Sequence, residues 1–232
     1  DETNGDFSKN LFCLSGASGG SIGNGTFFSL LRSKQRLQQF DKSDSAFRKA
    51  SVDYLKSDFL TYTLARTLGP DVFRNLVTLY NVNDCASAIS HAIEQTPGKK
   101  NFLYDSLGVP FTKIITQKNK PYNLPILCIN TTRMQDGSPG VISNIKISDS
   151  VFNGRIDVLS LLNEKQDMRL STGIVLGASF PYLSPAGRID YKKCDTCLAE
   201  ANYFVDGGYF DNSGAGVVFE MIFDFFFCPP FK

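Results

Sequence analysis

Apolar residues come in short blocks near the two ends of the chain and at helical spacing in its first half, and this change of period sets the expected order of elements. Leu11 to Leu14 is a brief apolar run that breaks into Gly16-Ala17-Ser18-Gly19-Gly20, so a strand ending in a tight turn is expected, followed by a helix over Asn24 to Leu31. From Asp44 to Leu68 apolar positions return at helical spacing, and Phe47, Val52, Leu55, Phe59, Leu60 and Leu64 form a candidate buried stripe. Gly69-Pro70 stops that helix, since proline cannot continue one. Asp71 to Tyr80 and Asp84 to Gln95 then read as two shorter helices.

At Pro125 the pattern changes to strands. Pro125 to Met134 and Val141 to Ile147 flank Gln135-Asp136-Gly137-Ser138-Pro139-Gly140, whose D-G and P-G pairs mark the turn of a hairpin and make Asp136 a turn residue. A helix over Ser171 to Ser179, a strand over Ala201 to Val205 and a last helix from Gly214 to Phe225, capped by Asp211 or Asn212, complete the order. Strands alternating with helices predict an α/β fold with a largely parallel central sheet flanked by helices, and a helical insertion after the first turn. The domain is expected over residues 10–222, with 1–9 and the phenylalanine-rich 223–232 as flanking segments.

Composition narrows the functions on offer. With 232 residues and 42% hydrophobic content the chain can bury one substantial core, and the net charge of +1 leaves no basic footprint for nucleic acid. The lysine pairs Lys99-Lys100 and Lys192-Lys193 are isolated. No stretch of eighteen apolar residues and no internal repeat stands out. Cys194-Asp195-Thr196-Cys197 has the spacing of half a zinc site but no second pair to complete four ligands, so loop thiols are the plainer reading, with zinc or a disulfide as alternatives. Cys13 and Cys128 lie inside apolar runs and read as small buried hydrophobes.

The glycine-flanked serine carries the chemistry. In Gly16-Ala17-Ser18-Gly19-Gly20 a sharp strand-to-helix turn would hold Ser18 in a strained conformation, which asks for small residues at 16 and 20, and would aim the Gly19 N–H at an oxyanion. Gly19-Gly20-Ser21-Ile22-Gly23 fits the same pattern, yet Ser21 would fall inside the helix, so Ser18 is preferred. The one histidine, His91, sits in a helical stretch, and none follows it to complete a serine, acid, histidine order. A carboxylate can serve as base instead. Tyr203-Phe204-Val205-Asp206-Gly207-Gly208 ends an apolar run in an aspartate followed by two glycines that allow close approach, although a D-G hairpin turn would look the same.

Taken together, Gly16-Ala17-Ser18-Gly19-Gly20 and Asp206-Gly207-Gly208 resemble the patatin-like phospholipase family, relatives of the cytosolic phospholipases A2. Ala178-Ser179-Phe180-Pro181-Tyr182-Leu183-Ser184-Pro185 and Pro125 to Thr132 are similar to two further stretches of that family. The resemblance implies hydrolysis of lipid or other acyl esters at a membrane or micelle surface, with Ser18 as nucleophile and Asp206 as base. It also implies Gly19 as oxyanion donor, motif roles for Gly16, Gly20, Gly207, Gly208 and Asn212, and no metal or organic cofactor. Cytoplasmic and membrane-associated settings both stay open. Ser213 stands where many members carry proline. The family's G-G-G-x-R-G oxyanion loop has no counterpart, and about ten residues precede the elbow strand, so a fragment is expected that hydrolyses esters poorly. Each absent donor is worth roughly 3–4 kcal/mol of barrier. The alternative is a lipid-binding or scaffold domain of the same fold that has lost catalysis.

Overall fold

One strand organises the sheet. β2, Ile126–Arg133, is buried along nearly its whole length, and its alternate residues feed two cores. Leu127 and Ile129 join a large cluster with Phe28, Phe111, Ile174 and Phe204, while Cys128 faces a smaller one with Val141, Val217 and Met221. The chain is seen here in a computed structural model that describes residues 7, 10–37, 44–57, 85–95, 98–101, 103–115, 124–148, 151–152, 154–163, 166–180, 186–192 and 197–227.

In chain order the described elements are β1 (Cys13–Gly16), α1 (Gly19–Leu37), α2 (Asp44–Leu55), α3 (Cys85–Gln95), α4 (Phe111–Ile115), β2, β3 (Pro139–Ser143), β4 (Ile156–Asp157), α5 (Leu170–Gly177), β5 (Gly187–Tyr191), β6 (Glu200–Asp206) and α6 (Ala215–Phe227). The six strands form one sheet in the order β4-β3-β2-β6-β5, with β1 also on β2. Helices α1 and α5 supply Phe28 and Ile174 to the larger cluster, and α6 supplies Val217 and Met221 to the smaller. No described helix is long and apolar enough to cross a membrane.

The α/β class holds, but the sheet is mixed rather than largely parallel. Only β1 with β2 and β3 with β4 run parallel, whereas β2 with β3, β2 with β6 and β5 with β6 are antiparallel. The cause is local for β2 and β3. The expected hairpin turn forms at Asp136-Gly137, with Gly137 at φ 73° and the Arg133 N–H donating to Ser138 O at 2.8 Å, and so short a connection can only reverse the chain. β3 also stops earlier than the expected Ile147. The side chain of Asn144 ends the ladder by accepting the Leu127 N–H at 2.8 Å and donating to Pro125 O at 3.2 Å.

Helical periodicity misplaced one buried face. On α2 the buried residues are Ala50 and Tyr54, four apart, while Val52 and Leu55 are 40% and 61% exposed. Tyr54 occupies the inward position, and a stripe counted from phenylalanine, valine and leucine overlooks an aromatic that carries a hydroxyl. The rest of the expected stripe, Phe59 to Leu64, with Gly69-Pro70 and the helix over 71–80, lies outside the described residues. The short α4 and the edge strand β5 were not foreseen, since β5 buries only Ile189 and interleaves it with charges.

Two ladders share one edge of β2. β1 pairs with the first half of β2, from Cys13 opposite Ile126 to Gly16 opposite Ile129. β6 pairs with the second half in the opposite sense, from Phe204 opposite Arg133 to Asp206 opposite Thr131. The carboxyl ends of β1 and β6 therefore run toward each other and meet at Asn130, the one β2 residue between the ladders.

Candidate active site

Past the end of β1 the chain turns sharply and enters α1 at Gly19. Ser18 occupies that turn with φ 53°, one of two non-glycine residues with positive φ among those described. A left-handed backbone at such a residue costs on the order of 1–3 kcal/mol and persists only where the surroundings enforce it. Here the Ser18 N–H donates to Gly177 O at 2.9 Å, and the Gly20 and Ser21 N–H groups donate to Ala17 O and Ser18 O at 2.9 and 3.0 Å. Gly19, as the first residue of α1, keeps an N–H with no intrahelical acceptor. Ser21, the rival in the second register, is fully buried inside α1 and donates its hydroxyl to Gly16 O at 3.1 Å.

The motif glycines are not equivalent. A Cβ on Gly16 would lie 2.8 Å from the Gly20 carbonyl carbon and 2.8 Å from Asn24 Nδ2, so the elbow closes only over glycine at 16. By contrast a Cβ on Gly19 or Gly20 would meet nothing within 4 Å beyond its own helix. The expectation that position 20 must be small is corrected. Gly16 is the residue that yields, and Gly20 supplies the backbone it yields to.

Asp206 ends β6 and is 3% exposed. Its Oδ1 accepts the Gly208 N–H at 2.7 Å, while its Oδ2 is buried without a hydrogen-bond partner among the described residues. A buried acceptor left unmade costs roughly 1–3 kcal/mol. The following residues form a 3₁₀ turn, Gly207–Tyr209, and not the hairpin that D-G suggested. Gly207 is required there, because a Cβ would lie 2.4 Å from the backbone oxygen of Asn130.

Serine and aspartate are held by the same short stretch. The Ser18 N–H is bonded to Gly177 O, and the Asp206 N–H to Ser179 O at 3.0 Å, where α5 ends. Two residues span at most about 7 Å, so both backbones are anchored to one turn of chain. Ser18 is half-buried, and Phe180 and Tyr209, stacked at 6.3 Å, are 53% and 56% exposed beside these anchors. No hydrogen bond joins Ser18 to Asp206 here.

Asn130 went unremarked in the sequence. It is 2% exposed, its Nδ2 donates to Ser15 Oγ and to Gly16 O at 3.0 Å each, and its Oδ1 is buried without a partner. Ser15 Oγ in turn donates to Gly214 O at 2.6 Å. The only sequence signal was a polar residue directly after the apolar run Ile126 to Ile129.

Other candidates fall outside this centre. His91 stands exposed on α3 with no hydrogen bond to Ser18 or Asp206. Asp136 pairs with Arg133 in the hairpin turn, as expected. Asn212 is exposed, and the helix cap it shared in expectation belongs to Asp211. Cys13 and Cys128 are free thiols, as their apolar settings suggested. Cys197 is disulfide-bonded, which corrects the reading of it as a plain loop thiol; Cys194 lies outside the described residues. No group of three or more metal-ligating side chains occurs among the described residues.

Asp211 gives a pH prediction. Burial works against its charged form, but bonds from Ser213 Oγ, Gly216 N, Ser213 N and Gly214 N at 2.7–3.0 Å outweigh it and hold the carboxyl below its ordinary range. A depressed carboxylate contributes stability that is whole above its unfolded pKa, about 3.9, and lost as pH falls through the lower folded value. Melting temperature should therefore drop more between pH 5 and about pH 2 in the parent than in Asp211→Asn, and equal losses would refute the cap's share.

Compared with known protein families, characterised proteins and solved structures, the chain matches none of them.

Proposed function

We propose that the chain is a serine acyl hydrolase that cleaves lipid acyl esters through an acyl-enzyme, with Ser18 as nucleophile and Asp206 as base, in the manner of the patatin-like enzymes it resembles. The observation that carries this reading is the strained Ser18, at φ 53°, anchored to the same chain turn as a buried carboxylate oxygen that has no partner. Strained non-glycine backbone and unfilled buried acceptors concentrate at functional sites.

The steps follow from the groups present. Ser18 Oγ attacks the ester carbonyl while its proton passes to Asp206 Oδ2, and the oxyanion that forms faces the Gly19 N–H at the start of α1. Collapse of the tetrahedral intermediate breaks the bond to the alcohol oxygen, which leaves with the proton from Asp206. Water then attacks the acyl-enzyme, giving its proton to Asp206, and the fatty acid departs as Ser18 Oγ regains a proton. No metal or cofactor enters this sequence.

A second reading is a lipid-binding scaffold, favoured by the absence of a Ser18–Asp206 hydrogen bond. Incubation with a p-nitrophenyl alkanoate separates the two. The hydrolase releases p-nitrophenol and forms a transient acyl adduct on Ser18 by mass spectrometry, and Ser18→Ala abolishes both. Unchanged release by Ser18→Ala, or an adduct on Ser21 instead, would reject the assignment.

A further inference from the structure

We propose that Asn130 is the positioning residue of this dyad: by holding the Gly16 carbonyl through its side-chain amide, it sets where the elbow presents Ser18 relative to Asp206. The inference rests on the reading of Ser18 and Asp206 as nucleophile and base.

Three features place Asn130 in that role. It stands where β1 and β6 converge, between the residue opposite Gly16 and the residue opposite Asp206. Its backbone oxygen is the surface against which both flanking segments are seated, since a Cβ on Gly207 would lie 2.4 Å from it and one on Gly177 2.9 Å. Gly177 is the residue whose carbonyl receives the Ser18 N–H, and Gly207 directly follows Asp206. Displacing this point would move both members of the pair.

The side chain adds a second donor to Gly16 O beside the Ser21 hydroxyl, and unlike Ser21 it reaches that carbonyl from β2. Gly16 O can only accept, so the amide must turn its NH2 toward it, and this fixes the orientation that sends the second N–H to Ser15 Oγ. Ser15 relays the contact to Gly214 O, on the segment that follows Asp206. The elbow and the aspartate loop are thus joined by one chain of hydrogen bonds. The amide's own oxygen is left buried and unfilled, a cost that a leucine of similar volume would avoid. An interior that needed only packing would favour the leucine. Asn130 bonds to neither Ser18 nor Asp206, so it acts through the elbow and not on the substrate.

The test uses the full chain and an alkyl fluorophosphonate. Ser18 Oγ forms a bond to phosphorus, fluoride leaves, and the serine proton passes to Asp206; intact mass gives kinact and KI. Asn130→Leu is expected to lower kinact at least tenfold with KI within about twofold, and this loss should vanish when Asp206 is already asparagine, because a misaligned base no longer matters once the base is gone. An unchanged kinact overturns the inference, as does the same fractional loss in the Asp206→Asn background, which would mark a general structural effect. Should Asn130→Leu not fold, Ser15→Ala removes one of the two amide contacts and carries the same test, with a smaller loss of kinact that is again absent beside Asp206→Asn; no loss overturns it. A wild-type chain that the probe leaves unmodified removes the dyad reading and this inference together, whereas a modified wild type with an equally reactive Asn130→Leu removes the inference alone.

Discussion

Asp206→Asn should fold as well as the parent and lose about 10²–10⁴ in ester turnover, the range typical of an absent general base. Asparagine keeps an oxygen for the Gly208 N–H, now bonded to Asp206 Oδ1 at 2.7 Å, and matches the carboxylate in shape. What changes is the second oxygen, buried and unpartnered, which becomes an NH2 with no proton affinity to offer Ser18. Replacing a buried carboxylate with a neutral amide removes the cost of burying its charge, so the melting temperature should hold or rise while kcat falls. Opposite movement of activity and stability is the mark of a group kept for chemistry. Parallel loss of both would make Asp206 a structural residue.

Gly207→Ala should act on the fold itself. The added methyl would sit 2.4 Å from the Asn130 backbone oxygen and 2.6 Å from its carbonyl carbon, and neither is the end of a flexible side chain that could swing away. Either β2 or the turn after β6 must shift. Overpacking of this kind costs about 1–3 kcal/mol, or roughly 2–12 °C of Tm for a chain of this size. Because the turn carries Asp206, ester cleavage should fall as well. Gly20→Ala provides the contrast, since its Cβ meets nothing within 4 Å and alanine favours a helix. Thermal melts of the two variants measure the difference, and equal stability would contradict the close approach at Gly207.

The elbow was legible in the sequence because its constraint is local. A strand that must turn at once into a helix leaves a short string of small residues, and the apolar run before it pointed to Ser18 in the turn and Ser21 inside the helix, as the structure has them. Asp206 was legible for the same reason. The α/β class followed from the order of periodicities, yet strand direction did not, because direction depends on pairings between segments such as β2 and β6 that lie some seventy residues apart. Asn130 was invisible on the same ground. Its role arises from two ladders meeting on one strand edge, and a single asparagine in Ile126–Arg133 carries no local sign of that. The buried face of α2 was missed for a different cause, since Tyr54 packs as an apolar residue while reading as an amphipathic one.

The central claim is that one hydroxyl and one carboxylate, both tethered to the end of α5, form a proton-transfer pair when substrate arrives. A crystal structure of the chain carrying a phosphonate on Ser18 tests it most directly. Asp206 Oδ2 is expected within roughly 2.6–3.2 Å of Ser18 Oγ or of a water poised to displace the adduct, with the phosphonyl oxygen facing the Gly19 N–H. A Ser18 adduct whose carboxylate neighbour remains turned away, with neither contact nor bridging water between them, would contradict it.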